Sequence, residues 1–349
     1  MAASSGTAIL GGGALGLALA YRLATAGERV VVMEREAEAG GLAAGFRVAP
    51  DGPWLEKFYH HIFRSDTALQ ALIAELGLAD KLYWGHPNSS ILIDGAAYRL
   101  EGSVGAIMAL SPLSLFDRLR LGAVGAGLKL LPNPKMLEGQ LAASWLRRWM
   151  GPNAYRVIWE PQLRGKFGAL ADTIAMPWMW ARIHYRSASL GYLRGGFQQL
   201  YDALVEGIEA HGGEIRLETE VRAIRPAGQD GLRVVSSAGD ERFARVVSTL
   251  APRLTFKLAP DIPQDFRARY EWGSAYGAHC LILALDRPLM KDVYWLSITD
   301  PDYPFLAAVE HTNYIPASDY GGKHLLYLGN YLPMDHPTMR ATPDEVLEQ

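Results

Sequence analysis

The chain has 349 residues, 49% of them hydrophobic, with 34 basic and 37 acidic side chains and a formal charge of −3. This length and apolar share allow one large domain or two interleaved ones, and the near-balance of charge excludes a strongly basic nucleic-acid footprint. The single cysteine, Cys280, excludes an internal disulfide and a cysteine-cluster metal site.

The first predicted element is a short apolar strand starting at Thr7. It runs into Gly11-x-Gly13-x-x-Gly16, an alanine-rich helix from Ala14, and a second strand, Arg29-Val-Val-Val-Met-Glu34. Gly11 permits a tight turn, Gly13 a close backbone approach to a pyrophosphate, and Gly16 close helix–strand packing. Free amides at the helix start favour an anion. Glu34 follows Gly16 by 18 residues, where a carboxylate accepts ribose hydroxyls. A generic glycine-rich turn is the bland alternative. The register of strand, glycines, helix, strand and acid favours dinucleotide binding.

Gly40-Gly41 follows, a second place where main chain can lie against a ligand. The run from Gly11 to Gly41 resembles the extended dinucleotide motif of flavin-dependent amine oxidases, protoporphyrinogen oxidases and carotenoid desaturases. The resemblance implies an α/β fold: a Rossmann-like FAD-binding domain of the GR2 type with an interleaved α+β substrate domain of antiparallel sheet plus helices. It implies FAD as cofactor, with the ADP half held by Gly11, Gly12, Gly13, Ala14, Leu15, Gly16, Glu34 and Arg35. Gly40, Gly41 and Leu42 then lie near the pyrophosphate and ribityl chain. Leu42 stands where many members carry Arg.

In Trp54-Leu-Glu-Lys-Phe-Tyr-His-His-Ile-Phe63, family members carry a glycine-containing segment passing the flavin ring. Here Tyr59 and His60 take that place. Adjacent residues of a strand point opposite ways, so at most one of His60 and His61 faces a pocket. The alternative is one packed and one solvent-facing imidazole. Two histidines alone supply too few ligands for zinc, so no metal is expected.

Ser65-Asp66 caps a helix reaching Leu76 and ended by Gly77, and Ile91–Leu100 reads as a hairpin turning at Asp94-Gly95. From Ser103 to about Arg186 the pattern is mostly helical. The leucine-rich stretch from Leu110 to Leu131 is expected to be an ordinary helical layer over a sheet. A wall for a greasy substrate, or a shallow membrane contact, is the alternative. Glu160, Arg164, Lys166 and Arg182 are expected to be surface charges rather than a polar cluster at a pocket. Gly191-Tyr-Leu-Arg-Gly-Gly-Phe197 before a helix resembles the family's return into the flavin domain. By the same resemblance the Val221 backbone reaches the adenine, and the strand ending at Thr249 returns beside the flavin. A hairpin of 232–236 with 243–250 is predicted, then an antiparallel sheet from strands at 279–285, 293–298, 305–310 and 323–329. On that strand Cys280 reads as a small buried hydrophobe.

The predicted domains are 1–85 with 190–255 for FAD, and 86–189 with 256–349 for substrate. Thr342, Pro343 and Glu345 form a capping box for a last short helix. The family continues to a further strand and turn over the flavin. Leu328–Tyr331 is a poor match to it, so a carboxy-terminal truncation or a natural short form is expected. No signal peptide or membrane-spanning run is visible, which points to a cytoplasmic protein. The function expected from the resemblance is FAD-dependent hydride removal from a bulky, mostly apolar small molecule of amine, porphyrinogen or polyene type. The alternatives are a non-redox flavoenzyme resembling UDP-galactopyranose mutase, using Arg182, Tyr192 and Arg194 for a sugar diphosphate, and an inactive nucleotide-binding module.

Overall fold

Thr7–Leu10 and Val30–Met33 are buried at every position, as strands covered on both faces must be. The structure, a computed structural model, describes residues 6–100, 103–228, 231–271, 275–300 and 302–348. The chain divides into two units. The first is Met1–Lys57, Ala68–Leu82 and Leu193–Ser274. The second is Phe58–Thr67, Tyr83–Tyr192 and Ala275–Gln349.

This division departs from the predicted one at four places, of which 83–85 and 190–192 are shifts of three residues into the second unit. Residues 58–67 fall in the second unit, because Ile62 and Phe63 pair antiparallel with Gly191 and Leu190. Residues 256–274 fall in the first, because Leu258 and Ala259 pack with Ala8, Leu10, Val31, Ile224 and Phe243 in one core.

In the first unit four parallel strands lie in the order Glu214–Arg216, Val30–Met33, Thr7–Leu10 and Arg245–Ser248. The helices Ala14–Thr25 and Gln198–Ala210 pack against each other. Val221–Pro226, Leu232–Ser236 and Gly239–Phe243 form a separate antiparallel meander. The expected pairing of 232–236 with 243–250 is therefore corrected. The return strand of that hairpin ends at Phe243, and 245–248 leaves to join the parallel sheet at Thr7–Leu10. Gly45–Arg47 and Trp54–Glu56 form a short antiparallel pair, and Gln198 ties it to its surroundings, accepting from Gly45 N at 3.1 Å and donating to Ala39 O at 2.9 Å.

The second unit holds a six-stranded sheet in the order Tyr276–Leu285, His324–Pro333, Ala307–Glu310, Trp295–Ile298, Ser89–Ile93 and Ala96–Arg99. It is mixed rather than antiparallel throughout, since Trp295–Ile298 runs parallel to Ser89–Ile93. Positive φ at both Asp94 (49°) and Gly95 (76°) makes the two-residue hairpin turn that right-handed strand twist favours. The helices Leu115–Leu130, Ala142–Trp149, Glu160–Phe167 and Met176–His184 share one core that includes Ile91, Leu146, Ile158 and Met179. Leu328–Tyr331 sits inside the His324–Pro333 strand, paired with Leu281–Ala278. The last helix, Pro343–Leu347, carries the expected capping box. Among the described residues no helix is long and apolar enough to cross a membrane.

Candidate active site

The turn after the first strand is built from contacts that only glycine allows. Gly11 has φ 104°, and a β-carbon on Gly16 would lie 2.0 Å from Gly11 O, so the helix start sits directly on the turn. Gly12 N donates to Glu34 Oε2 at 2.7 Å, and Glu36 N donates to Glu34 Oε1 at 3.0 Å. The carboxylate that closes the second strand is thus held against the turn by two amides, with lone pairs left over for further donors. Leu17 N closes the first helical turn on Gly13 O at 2.9 Å, so the amides of Ala14, Leu15 and Gly16 precede any acceptor within the helix. That end is open: Leu15 is 70% exposed and a β-carbon on Gly13 would meet only Gly41 Cα, at 3.8 Å.

Gly40 and Gly41 have φ 122° and 59°, and Gly40 N donates to Gly12 O at 2.8 Å. A β-carbon on Gly41 would come within 2.9 Å of Gly13 Cα. The second glycine pair is therefore needed to lay one backbone on the other, whatever ligand lies above them. Leu42 is fully exposed, and Arg35 pairs with Glu36 at 2.8 Å on the surface. Thr249 turns its hydroxyl into the turn, donating to Leu10 O at 2.9 Å. Val221 follows a segment docked on Glu34, with Thr219 N donating to Glu34 O at 2.8 Å. One side of the first unit so gathers Gly11–Gly16, Glu34, Gly40–Gly41 and Thr249.

The second unit contains a chamber of about 180 Å³. Tyr59, His61 and Phe63 line it, with Trp295 and Tyr331. The spacing of two residues is that of extended chain, and it puts His61 rather than His60 in this wall. His60 Nδ1 instead donates to Phe58 O at 2.6 Å, and burial lowers its basicity. His61 Nε2 is hydrogen-bonded to Tyr294 Oη. Its pKa is pushed down to about 3, first by burial and then by His311, Arg186 and His60, so the ring is neutral at physiological pH. Burial pushes the Tyr59 hydroxyl above its ordinary range, and its ring packs edge-on to Trp295 at 4.6 Å between centroids. Burial also pushes the Cys280 thiol up to about 12, which makes it an inert group as expected.

Three cations line the same chamber: Lys166, Arg182 and Arg186. They correct the expectation of surface charges for Lys166 and Arg182. Glu160 and Arg164 do form a surface pair at 3.3 Å. Lys166 Nζ lies 3.9 Å from the Tyr331 ring centroid, and Arg186 donates to Ser89 Oγ at 3.3 Å. Arg182 and Arg186 are both exposed to solvent and line both cavities. Enclosure pushes Lys166 down to about 8, with Arg182 adding to the effect. It pushes Arg186 down to about 10, again with Arg182, and it also lowers Arg182. No carboxylate is among the described residues lining the chamber.

A second cavity, of about 920 Å³, shares Ser89, Gln162, Arg182, Arg186 and Leu190 with the first. Its wall is mainly apolar. The Leu115–Leu130 helix contributes Leu119, Leu121, Gly122, Ala123, Gly125 and Ala126. The leucine-rich stretch, expected as an ordinary layer, is thus also a cavity wall. Small side chains on one helix face make the room: a β-carbon on Gly125 would meet nothing within 4 Å. Among the described residues no cluster of His, Cys, Asp and Glu could hold a metal ion.

Residues 16–349 match the profile of the family described as flavin containing amine oxidoreductase. The chain belongs to that family. The 15-cis-phytoene desaturase of Solanum lycopersicum is 23% identical over 284 residues, covering 74% of this chain and 48% of the relative. The carotenoid phi-ring synthase of Streptomyces griseus is 28% identical over 316 residues, covering 82% and 60%. The chain therefore spans roughly half to three-fifths of the length of these relatives. Among solved structures, a reduced UDP-galactopyranose mutase superposes with a TM-score of 0.72 at 16% identity, covering 98% of this chain and 77% of that one, a likeness of fold.

The cofactor of this flavin family member is FAD, and the first unit fits its ADP half. The open helix amides suit a diphosphate, the gap over Gly13 admits it closely, and Glu34 retains acceptor capacity for ribose hydroxyls. The sequence left His60 and His61 as alternatives and placed His60 at the ring; Arg186 it did not bring forward. A signal for Arg186 was present: it follows Arg182 by four residues with no acid between them.

Proposed function

We propose that this chain is the FAD-binding and substrate-binding part of an oxidoreductase that removes a hydride from a bulky substrate with a large apolar body. The observation that carries the reading is the 920 Å³ cavity, mainly apolar and adjoining a chamber lined by aromatic rings, in a member of a flavin family. Gly11–Gly16, Glu34, Arg35, Gly40–Leu42, Val221 and Thr249 hold the cofactor in this reading. When bound, the flavin supplies the hydride acceptor. The chain's own residues bind, orient and keep water out. Tyr59 and His61 stay uncharged at neutral pH, offering hydrogen bonds without a competing charge. Tyr59 and His60, assigned to the ring side at the outset, share this proposal, with His61 as the imidazole of the chamber wall. The test is the absorption spectrum of the purified protein, before and after incubation with FAD, followed by anaerobic mixing with candidate amines, porphyrinogens and polyenes. A folded protein that takes up no flavin would falsify the reading. Bleaching of the flavin bands by one substrate class supports it.

A second reading, a non-redox mutase of sugar diphosphates, is favoured by the three chamber cations. Of the trio first assigned to it, Arg182 lines the two cavities described here and the other two do not. Tyr192 is 1% exposed with its ring against His311, and Arg194 belongs to the first unit. Binding of UDP-sugars to the reduced protein, without net oxidation, separates the two.

A further inference from the structure

The two cavities of the second unit differ in chemistry and adjoin along a shared wall, here called the neck. Ser89, Gln162, Arg182, Arg186 and Leu190 belong to both. On one side lies a small chamber with Lys166 and five aromatic or imidazole rings. On the other lies the larger, apolar cavity against the Leu115–Leu130 helix. Among the exposed residues lining that cavity are apolar Val104 and Leu119, 80% and 58% exposed, beside the cations Arg99 and Lys129.

Cations gathered on one wall without carboxylates repel one another, and a bound anion relieves that repulsion. Ion pairs with the chain's own acids are how proteins ordinarily hold such groups. Here the described walls of both cavities contain Lys166, Arg182, Arg186, Arg99, Arg118 and Lys129, and no Asp or Glu. Arg118 is turned to the backbone carbonyls of Leu113 and Met108, and Lys129 to those of His184 and Arg186. They account for themselves as structural links. Lys166, Arg182 and Arg186 converge on the neck and chamber instead. A fully apolar substrate would leave these charges desolvated against hydrocarbon. A small sugar diphosphate would leave the large cavity unfilled.

We infer that the occupant is an anionic amphiphile, with an acid group seated among Lys166, Arg182 and Arg186 and a long apolar chain lying along the Leu115–Leu130 helix. This rests on the reading that the second unit binds substrate, and it names the substrate's class. Carboxylate and phosphate monoester share the chemistry the guanidiniums recognise, through bidentate hydrogen bonds. The apolar remainder adds affinity with each methylene it removes from water.

Isothermal titration of the purified protein tests the assignment, below the micelle limit of each probe. Dodecyl phosphate, dodecanoate, dodecan-1-ol, dodecyltrimethylammonium, butyl phosphate and UDP are compared. Either dodecyl acid should bind at least 10-fold more tightly than the alcohol, the ammonium and butyl phosphate, and the stronger of the two identifies the acid group. Arg182→Gln with Arg186→Gln should abolish that preference while leaving the alcohol's affinity as it was. Arg164→Gln, on the surface, should change nothing. Equal affinity for alcohol and acid, or an unchanged preference in the double variant, overturns the inference, and so does UDP binding more tightly than dodecyl phosphate. If the double variant does not fold, the alcohol-against-acid comparison on the unaltered protein decides alone. Loss of flavin uptake would sink the oxidoreductase reading and leave this isotherm standing.

Discussion

Gly12 N donates to Glu34 Oε2 at 2.7 Å, so the acid that ends the second strand is docked on the turn that ends the first. Its other oxygen takes the amide of Glu36. Glu34→Ala leaves both amides without that acceptor, at a cost of about 1–3 kcal/mol for the buried one. We expect a fall in melting temperature and at least a 10-fold loss of FAD affinity. Glu34→Gln keeps one acceptor oxygen and should lose less of both. Flavin titration followed by fluorescence quenching checks this, and an unaltered FAD affinity in Glu34→Ala would remove Glu34 from the site.

Gly16→Ala should be severe. Its β-carbon would sit 2.0 Å from Gly11 O, a backbone atom that cannot swing away. The expected loss is about 3 kcal/mol or more, read from denaturant unfolding. Gly27, at φ 80°, has nothing within 4 Å of a built β-carbon. Gly27→Ala therefore isolates the backbone term alone, about 1 kcal/mol. Similar losses for the two would mean that the contact with Gly11 relaxes.

Filling the large cavity from its helix separates binding from stability. Gly125→Leu replaces a poor helix former by a good one, worth about 0.5–1 kcal/mol in favour of the helix. The new side chain projects into open space. Melting temperature should hold or rise while dodecyl acid binding falls at least 10-fold and butyl phosphate binding is retained. Full retention of the long-chain ligand would place the chain elsewhere.

Lys166 sets a pH dependence. Its pKa is lowered to about 8, first by burial and then by Arg182, so it is charged below that value and neutral above it. Facing it are Arg182, Arg186, Tyr59, Tyr331 and His61. His61 is neutral above about 3, Arg186 holds its proton to about 10, and burial keeps both tyrosines protonated beyond their ordinary range. An anion favours the charged lysine and raises its pKa. Affinity for dodecyl phosphate should thus be flat from pH 7 to 8, then fall by up to about 10-fold per unit as pH rises. Titrations in buffers of different ionisation enthalpy would show proton uptake on binding near pH 8.5. The same lowered pKa makes charged Lys166 a destabilising group. Stability from this residue is therefore gained, not lost, between pH 8 and its ordinary value near 10.5.

How much was legible in the sequence follows the kind of chemistry involved. The turn Gly11–Gly16 with Glu34 was legible because backbone geometry admits only glycine there, and such positions stand at fixed spacing. Gly40–Gly41 was legible as a close approach, although its partner in the chain is Gly13 itself. The hairpin at Asp94-Gly95 was readable for the same reason. The cation cluster was not, because Lys166 comes from one helix, Arg182 from the end of another and Arg186 from the segment after it, and pattern alone treats each as a solvated face. His61 was passed over for His60 because the phase of an extended segment is unknown until one neighbour is placed; Tyr59 and Phe63 fix it. The parallel pairing of Trp295–Ile298 with Ser89–Ile93 joins strands some 200 residues apart, beyond any local signal.

The small residues Gly122, Ala123, Gly125 and Ala126 along one helix face have a consequence for diversification. Each is one substitution from a larger side chain, and none is pinned by a turn or a strained backbone. Related sequences can therefore shorten or lengthen the accepted tail stepwise, like stops on a measuring gauge, with the charged neck and the cofactor turn left untouched.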